Sequence, residues 1–415
     1  MKVVLVNPRS GKNMIPLIPI GLLYLASELV ASGHMCEIVD LNYDDLKKFE
    51  KKINYIEPEL IGVSIRNIAE TEGMNRVYID IKPIIEVARK YSKIVLGGAG
   101  FSIFPRTIMK LYNVDYGIVG PGEAAIRYIA NKISEIPNGT MISMVNEGFI
   151  KSDISVAMEN YWSQYGKYHI VCNNSLPIQT TRGCKYNCRY CTYSNISNHF
   201  MQQRPIESVI SEMKRLKSIT KMDRFYFVDS VFNMDLSYMK KLLHAIIDND
   251  IRCKWQSCIN PVEYDDELIG LMKKSGCEFC EIGVDSFSDA QLNSFGKSFN
   301  SKQAQNLIRR IEQADINYSV SLILGGYGET NETLIETWRI AEESIGTKIN
   351  AFVGERIYPN TKLADILNIE SEEELSMASD TSIYLSKDVS KWLLEKLLNS
   401  SSDKWSFVGR IKRRR

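Results

Sequence analysis

Three cysteines stand at the spacing C-x3-C-x2-C in Thr181-Arg182-Gly183-Cys184-Lys185-Tyr186-Asn187-Cys188-Arg189-Tyr190-Cys191, a short loop behind an apolar run. Thiolates this close together suit a soft metal or an iron–sulfur cluster, whereas structural zinc wants a fourth ligand at a matching spacing. The nearest candidate, His199, is not placed like the second half of a zinc ribbon. A cubane held by three cysteines leaves one iron open, and that iron can bind a substrate or cofactor directly. A zinc knuckle, or three cysteines met by chance, is the plain alternative.

The elements that must position this loop belong to a chain of 415 residues, long enough for two or three domains. A formal net charge of +1 makes no global electrostatic case for nucleic acid or a membrane surface. The basic ending Arg410-Ile411-Lys412-Arg413-Arg414-Arg415 reads as a solvated tail or as a contact for an acidic partner. The remaining cysteines, Cys36, Cys172, Cys253, Cys258, Cys277 and Cys280, are scattered, unlike a secreted disulfide framework, so a reducing cytoplasm is expected. Cys277 and Cys280 form a second C-x2-C pair, but in a strand residues three apart face opposite sides. Core packing is therefore expected there rather than a second metal site. Met14–Ala31 is nearly uncharged, yet Pro16, Pro19 and Glu28 leave too short an apolar run for a membrane span. The apolar run Val3-Val4-Leu5-Val6 is too short for a signal peptide.

Lys2–Val6 is the kind of β-branched run expected of a parallel strand buried on both faces. After the loop Asn7–Lys12 come a helix over Gly21–Ala31 and a strand over Cys36–Leu41. The unit repeats with strands Leu60–Ile65, Lys93–Leu96 and Tyr116–Val119, which predicts an open, doubly wound parallel sheet. Ligands of such sheets lie beyond the carboxyl ends of the strands, where glycine lets the backbone approach. Gly97-Gly98-Ala99-Gly100 and Gly120-Pro121-Gly122-Glu123 fall there, although glycine at strand ends is also ordinary turn chemistry.

From Leu176 six strands alternate with helices: Leu176–Thr181, Phe225–Val228, Cys253–Cys258, Phe279–Val284, Tyr318–Leu324 and Ala351–Ile357. Each ends in polar residues or glycine, and a parallel barrel places its chemistry at those ends. The expected organisation is a Rossmann-like domain over 1–140, a linker over 141–174, a partial (β/α)6 barrel over 175–365 and a helical C-terminal extension over 366–415. The linker's Trp162, Tyr165 and Tyr168 either pack or line a substrate entrance. The extension rests on Leu393, Leu394, Leu397 and Leu398 at helical spacing.

The cysteine spacing, with Tyr190 just before the last cysteine, resembles the signature of the radical S-adenosylmethionine (SAM) enzymes. The resemblance extends over the barrel strands and implies a [4Fe–4S] cluster on Cys184, Cys188 and Cys191, with SAM chelated to its open iron. It further implies Tyr190 against the adenine, Asp229 and Ser230 near the SAM amino group, and Asp285 and Ser286 at the ribose or carboxylate. Gly325 through Glu329 would form the turn beside the adenine. This chain departs from many relatives in having Asp285 where they carry glutamate and Tyr327-Gly328-Glu329-Thr330 where they carry Pro-Gly-Glu-Thr. Helix capping is the alternative role for these acids.

Residues 1–135 are similar to the cobalamin-binding domain that precedes many radical SAM barrels, through strand–Asn-Pro, Pro-Ile-Gly-Leu-Leu-Tyr-Leu-Ala, Gly-Val-Ser-Ile, Gly-Gly-Ala-Gly-Phe and Gly-Pro-Gly-Glu. The resemblance implies cobalamin contacts at Asn7, Ser64, Gly97, Gly98, Gly100, Gly120, Gly122 and Glu123. The D-x-H-x-x-G motif that supplies a cobalt-ligating histidine in related domains does not occur, and His34 reads as a turn residue.

Together these implied cofactors predict a cobalamin-dependent radical SAM methyltransferase. SAM cleavage at the reduced cluster would give a 5′-deoxyadenosyl radical that abstracts hydrogen, and methylcobalamin would methylate a carbon or a phosphorus of a small metabolite or peptide. A barrel closed by a second domain would shield such a radical. A one-electron reductant such as flavodoxin or ferredoxin is the implied partner, with no nucleic acid or membrane. Ring contraction, cyclisation or oxidation without methyl transfer is the alternative; a non-catalytic SAM- or cobalamin-binding protein is a third reading. A methylthiotransferase is not expected, because Cys36 alone in the first domain cannot hold a second cluster.

Overall fold

The computed structural model describes residues 1–10, 15–66, 69–72, 75–78, 80–145, 153–197, 201–375 and 383–408. His199, the basic run 410–415 and part of the first loop (11–14) lie outside the described residues. The chain divides into two compact units. The first comprises Met1–Glu70, Tyr78–Ile178 and Ile196–Arg224; the second comprises Thr71–Val77, Gln179–Asn195 and Phe225–Arg415.

Val3 through Val6, apolar on both faces, are buried, as the centre of a parallel sheet requires. Neighbour by neighbour the first unit's sheet runs Met35–Asp40, Lys2–Asn7, Leu60–Ser64, Lys93–Gly97, Tyr116–Ile118 and Thr140–Ile142. Its pairs are parallel, with Asn7 opposite Asp40, Val6 opposite Val63 and Ser64 opposite Gly97. That register sets four strand ends in one row. The helix Ile20–Ala31 begins directly after Pro19, and Ser155–Val171 packs on it and on Ile206–Thr220.

Two features correct the expected linker. Thr140–Ile142 is the sixth strand of the sheet, and Ser155–Val171 is a 17-residue helix. A three-residue strand paired on one side only is too short to show a hydrophobic period.

In the second unit the strands follow one another as Arg224–Phe227, Lys254–Ile259, Cys277–Asp285, Asn317–Leu324, Lys348–Val353 and Trp405–Val408. The last five pair in parallel. Helices between them start where Asp235, Asp265, Asn300 and Thr330 each accept a hydrogen bond from the backbone three residues on. The C-terminal extension contains the expected helix, Lys391–Ser400, and adds an unforeseen strand, Trp405–Val408, beside Lys348–Val353. Trp405 stacks on Trp338 with ring centres 4.1 Å apart.

One local expectation is overturned. Trp255 pairs with Cys277 but Gln256 with Phe279, so Glu278 is an extra residue in the ladder. The bulge brings the buried Cys277 and Cys280 sulfurs to 3.5 Å instead of opposite faces.

Candidate cofactor sites

The chain enters the cysteine loop under control of Asp229. Its buried carboxylate accepts the backbone N–H groups of Thr180 and Thr181 at 2.7 and 2.8 Å, and the Thr180 hydroxyl as well. The loop's far end is tied on both sides of Arg189, whose N–H donates to Phe295 O at 2.9 Å while its carbonyl accepts from Leu363 N at 2.9 Å. Gly296 makes the first of these contacts possible. It ends the helix Asp289–Phe295 with φ +74, and a Cβ there would stand 3.2 Å from Asn187 O.

Cys184, Cys188 and Cys191 are free and half-buried on this loop. Burial raises all three thiols, Cys191 to about 11, so iron would have to displace protons to bind. Among the described residues no three His, Cys, Asp or Glu side chains converge on a position for a single metal ion. A cubane does not demand convergence, because each cysteine ligates a different iron.

Behind the loop, half-buried Tyr190 and Lys297 close on the buried Asp285. The Tyr190 hydroxyl donates to Asp285 Oδ2, and Lys297 is ion-paired with the same carboxylate. Lys297 Nζ also stands 3.1 Å from the Tyr190 oxygen. Phe295 meets the Tyr190 ring edge-on at 5.8 Å. Asp285 holds φ +67, a left-handed conformation unusual outside glycine. Burial opposes the Lys297 charge, but Asp285 together with Cys188 and Cys191 outweighs it, and the ammonium is held above its ordinary range. Against the burial that raises them, the same charge favours the thiolate form at all three cysteines. Three thiols around a buried cation suit an anionic cluster with a zwitterionic ligand.

The remaining SAM positions divide. Ser230 follows Asp229, half-buried at the strand end. Ser286 does not join Asp285: it is fully buried with its hydroxyl 2.7 Å from that of Thr337, which corrects the expected ribose or carboxylate contact. Gly325 lies in the expected turn with φ +82, a conformation that favours glycine whatever the space around it, and a Cβ there would also crowd Leu385. Glu329 is fully buried, accepts from Gly325 N within its own loop and carries one oxygen without a partner. Burial pushes it up to about 8. Glu355, which accepts from Tyr327 N at 2.8 Å, is pushed up to about 7 by burial. Lys297 and Glu355 were missed because no motif surrounds either residue.

In the first unit, Asn7, Ser64 and Gly97 share the row of strand ends. Gly98 has φ +101, and a Cβ would fall 2.6 Å from Ile65 O, the carbonyl that Gly100 N–H reaches at 2.8 Å. Ser102, also missed, ties the two glycine loops: its hydroxyl donates to Gly98 O and accepts from Gly120 N, both at 2.9 Å. Gly122 and Glu123 open the helix Glu123–Lys132. His34 contacts the Met1 amino group at 3.2 Å and Asn131 at 3.0 Å, at the amino-terminal edge of the sheet. The linker aromatics pack: Tyr168 stacks on Tyr43 at 4.4 Å, and Trp162 on His169 at 6.1 Å.

The radical SAM superfamily model matches residues 178–341, and the B12 binding domain model matches residues 15–130. The chain therefore carries a radical SAM domain and a B12 binding domain. The cofactors these domains take are a [4Fe–4S] cluster, SAM and cobalamin. An uncharacterized methyltransferase of Pyrococcus horikoshii is 22% identical over 397 residues, spanning 88% of this chain and 82% of the relative. A tryptophan 2-C-methyltransferase of Streptomyces laurentii is 24% identical over 447 residues, spanning 88% and 74% respectively. The same fold is found in the radical SAM methyltransferase TsrM of Kitasatospora setae, at a TM-score of 0.81 and 19% identity over 99% of this chain and 91% of that one. Among the described residues no helix is long and apolar enough to cross a membrane.

Proposed function

We propose that this enzyme methylates a carbon or phosphorus atom of a small metabolite or peptide, using electrons from a one-electron carrier such as flavodoxin or ferredoxin. The observation that carries the proposal is the Tyr190–Asp285–Lys297 constellation behind a three-cysteine loop, in a chain that also carries a B12 binding domain. The Streptomyces laurentii relative, named for carbon methylation, supports the choice of reaction.

When bound, the cluster and SAM supply one-electron cleavage to a 5′-deoxyadenosyl radical, and cobalamin supplies a cobalt that carries methyl. The chain's own residues position these groups. Cys184, Cys188 and Cys191 would each hold an iron. Lys297 would face the SAM carboxylate, and Asp285 the amino group or ribose. Tyr190, oriented by both, would lie along the adenine, beside the turn at Gly325. Asp229 keeps the cysteine loop at a fixed distance from its strand. Asn7, Ser64, Gly97, Gly98, Gly100, Gly120, Gly122 and Glu123 would line the corrinoid at the sheet's carboxyl edge.

Anaerobic reconstitution with iron, sulfide and hydroxocobalamin, then reduction with methyl-labelled SAM, tests the proposal. The expected result is about four irons and one cobalt per chain, label on the corrinoid and release of S-adenosylhomocysteine. Iron without cobalt, or 5′-deoxyadenosine as the sole SAM product besides methionine, would sink methyl transfer and leave cyclisation or oxidation.

A further inference from the structure

The carboxyl ends of Lys2–Asn7 and Met35–Asp40 meet a run of buried polar side chains to which the cofactor assignment gives no role. Asp40, Tyr161, His169 and Asn174 are each at most 5% exposed. Asp40 Oδ2 accepts from Asn7 Nδ2 at 3.0 Å and from the Tyr161 hydroxyl at 2.8 Å. Its Oδ1 accepts from the backbone N–H and the side-chain amide of Asn42, at 3.0 and 2.8 Å. Tyr161 continues to His169 Nε2 at 2.8 Å, and His169 Nδ1 to Asn174 Nδ2 at 2.8 Å.

The proton on each link follows from chemistry. Asn174 Nδ2 also reaches Pro16 O at 2.7 Å, and a carbonyl only accepts, so this atom is the amide nitrogen. An amide nitrogen only donates, which makes His169 Nδ1 the acceptor and leaves the ring proton on Nε2. Tyr161 then accepts from Nε2 and gives its own proton to Asp40. Every donor points the same way, and a second proton on His169 would face the Asn174 donor. Burial, which lowers His169 to about 4, agrees with a neutral ring.

The chain holds three things. At one end it fixes the Asn7 amide. Through Asn42, whose Oδ1 accepts from Ser10 N at 2.7 Å, it holds the start of the loop after the first strand. Through Asn174 it holds Pro16, near that loop's end. Asn7 leads the row of strand ends, and this is the first βα loop, the place where doubly wound sheets receive their ligands.

We propose that Asp40, Tyr161 and His169 are positioning residues for cobalamin, acting through Asn7 and the nearby Ser10 and Pro16. This inference rests on the reading that the first unit binds cobalamin. A polar network fully satisfied before the ligand arrives has one arrangement, so Asn7 is offered to the corrinoid's amide side chains already oriented.

Full-length, cluster-reconstituted protein titrated with hydroxocobalamin, followed by corrin absorbance, tests it. Tyr161→Phe removes the shared hydroxyl but keeps the ring, and should raise Kd about tenfold, as should Asn7→Ala, each worth about 1.4 kcal/mol. Because one residue acts through the other, the double variant should lose far less than the hundredfold product. His169→Leu breaks the chain one link further out and should weaken binding in the same direction; it replaces Tyr161→Phe if that variant fails to hold iron. An unchanged Kd in a variant that holds iron normally, or a full hundredfold loss in the double variant, overturns the proposal. A wild type that takes up no cobalamin would instead overturn the cobalamin reading itself, and the inference with it.

Discussion

Lys297 is the residue on which the barrel site depends electrostatically. A lysine buried this deeply is tolerated because Asp285 compensates its charge, and removing one partner of such a pair leaves the other stranded. Lys297→Met should therefore cost about 3–5 kcal/mol of stability. It should also weaken SAM binding to the reconstituted enzyme at least tenfold in equilibrium dialysis, with Lys297→Arg recovering much of both. SAM binding that survives Lys297→Met intact would show that the cation serves folding alone. Nothing in Phe295-Gly296-Lys297-Ser298 announces this role. The glycine reads as a helix stop, but that the stop folds back onto a loop more than a hundred residues earlier is a tertiary fact. Tyr190 and Asp285 each adjoin a pattern in the sequence and the structure joins their side chains, whereas Ser286, the next residue after the strand, turns to Thr337.

At the scale of elements, the docking of the Asp289–Phe295 helix end on the cysteine loop is a backbone contact that a side chain would crowd. Gly296→Ala combines a left-handed φ with a Cβ 3.2 Å from Asn187 O. We expect a stability loss of about 1–2 kcal/mol. We also expect a lower iron content after reconstitution, read by iron assay against wild type. Full iron loading would mean that the loop is held from the Asp229 side alone. The long strands were legible for the reason that makes them core: Val3–Val6 is an unbroken buried apolar run, and Ile282 and Val284 are fully buried. Thr140–Ile142 and Trp405–Val408 were not, since short edge strands draw on partners rather than on their own period. The bulge at Glu278 was invisible because alternation assumes an unbroken ladder.

For the molecule as a whole, the two buried glutamates set a pH dependence. Glu329, pushed up to about 8, and Glu355, pushed up to about 7, bind protons more tightly folded than unfolded. Their contribution is complete below the ordinary carboxylate range of about 4.5 and is lost as pH rises through about 7 to 8. His169, lowered to about 4, works in the opposite sense, but only below about pH 6.5. Urea unfolding of the cluster-free chain should therefore show stability falling by about 2 kcal/mol between pH 6.5 and 8. Glu329→Gln should flatten that slope; an unchanged slope would place the titration elsewhere.

The strand Trp405–Val408 carries a consequence for biosynthesis. It pairs with Lys348–Val353 through residues translated some fifty positions later, so a growing chain presents that sheet with a bare hydrogen-bonding margin until Trp405–Val408 has been made. Ribosomes stalled or released before Trp405 would yield products whose exposed margin is a template for self-association. The edge would be covered only once this strand is made, when the tryptophan stack of Trp338 and Trp405 forms over it.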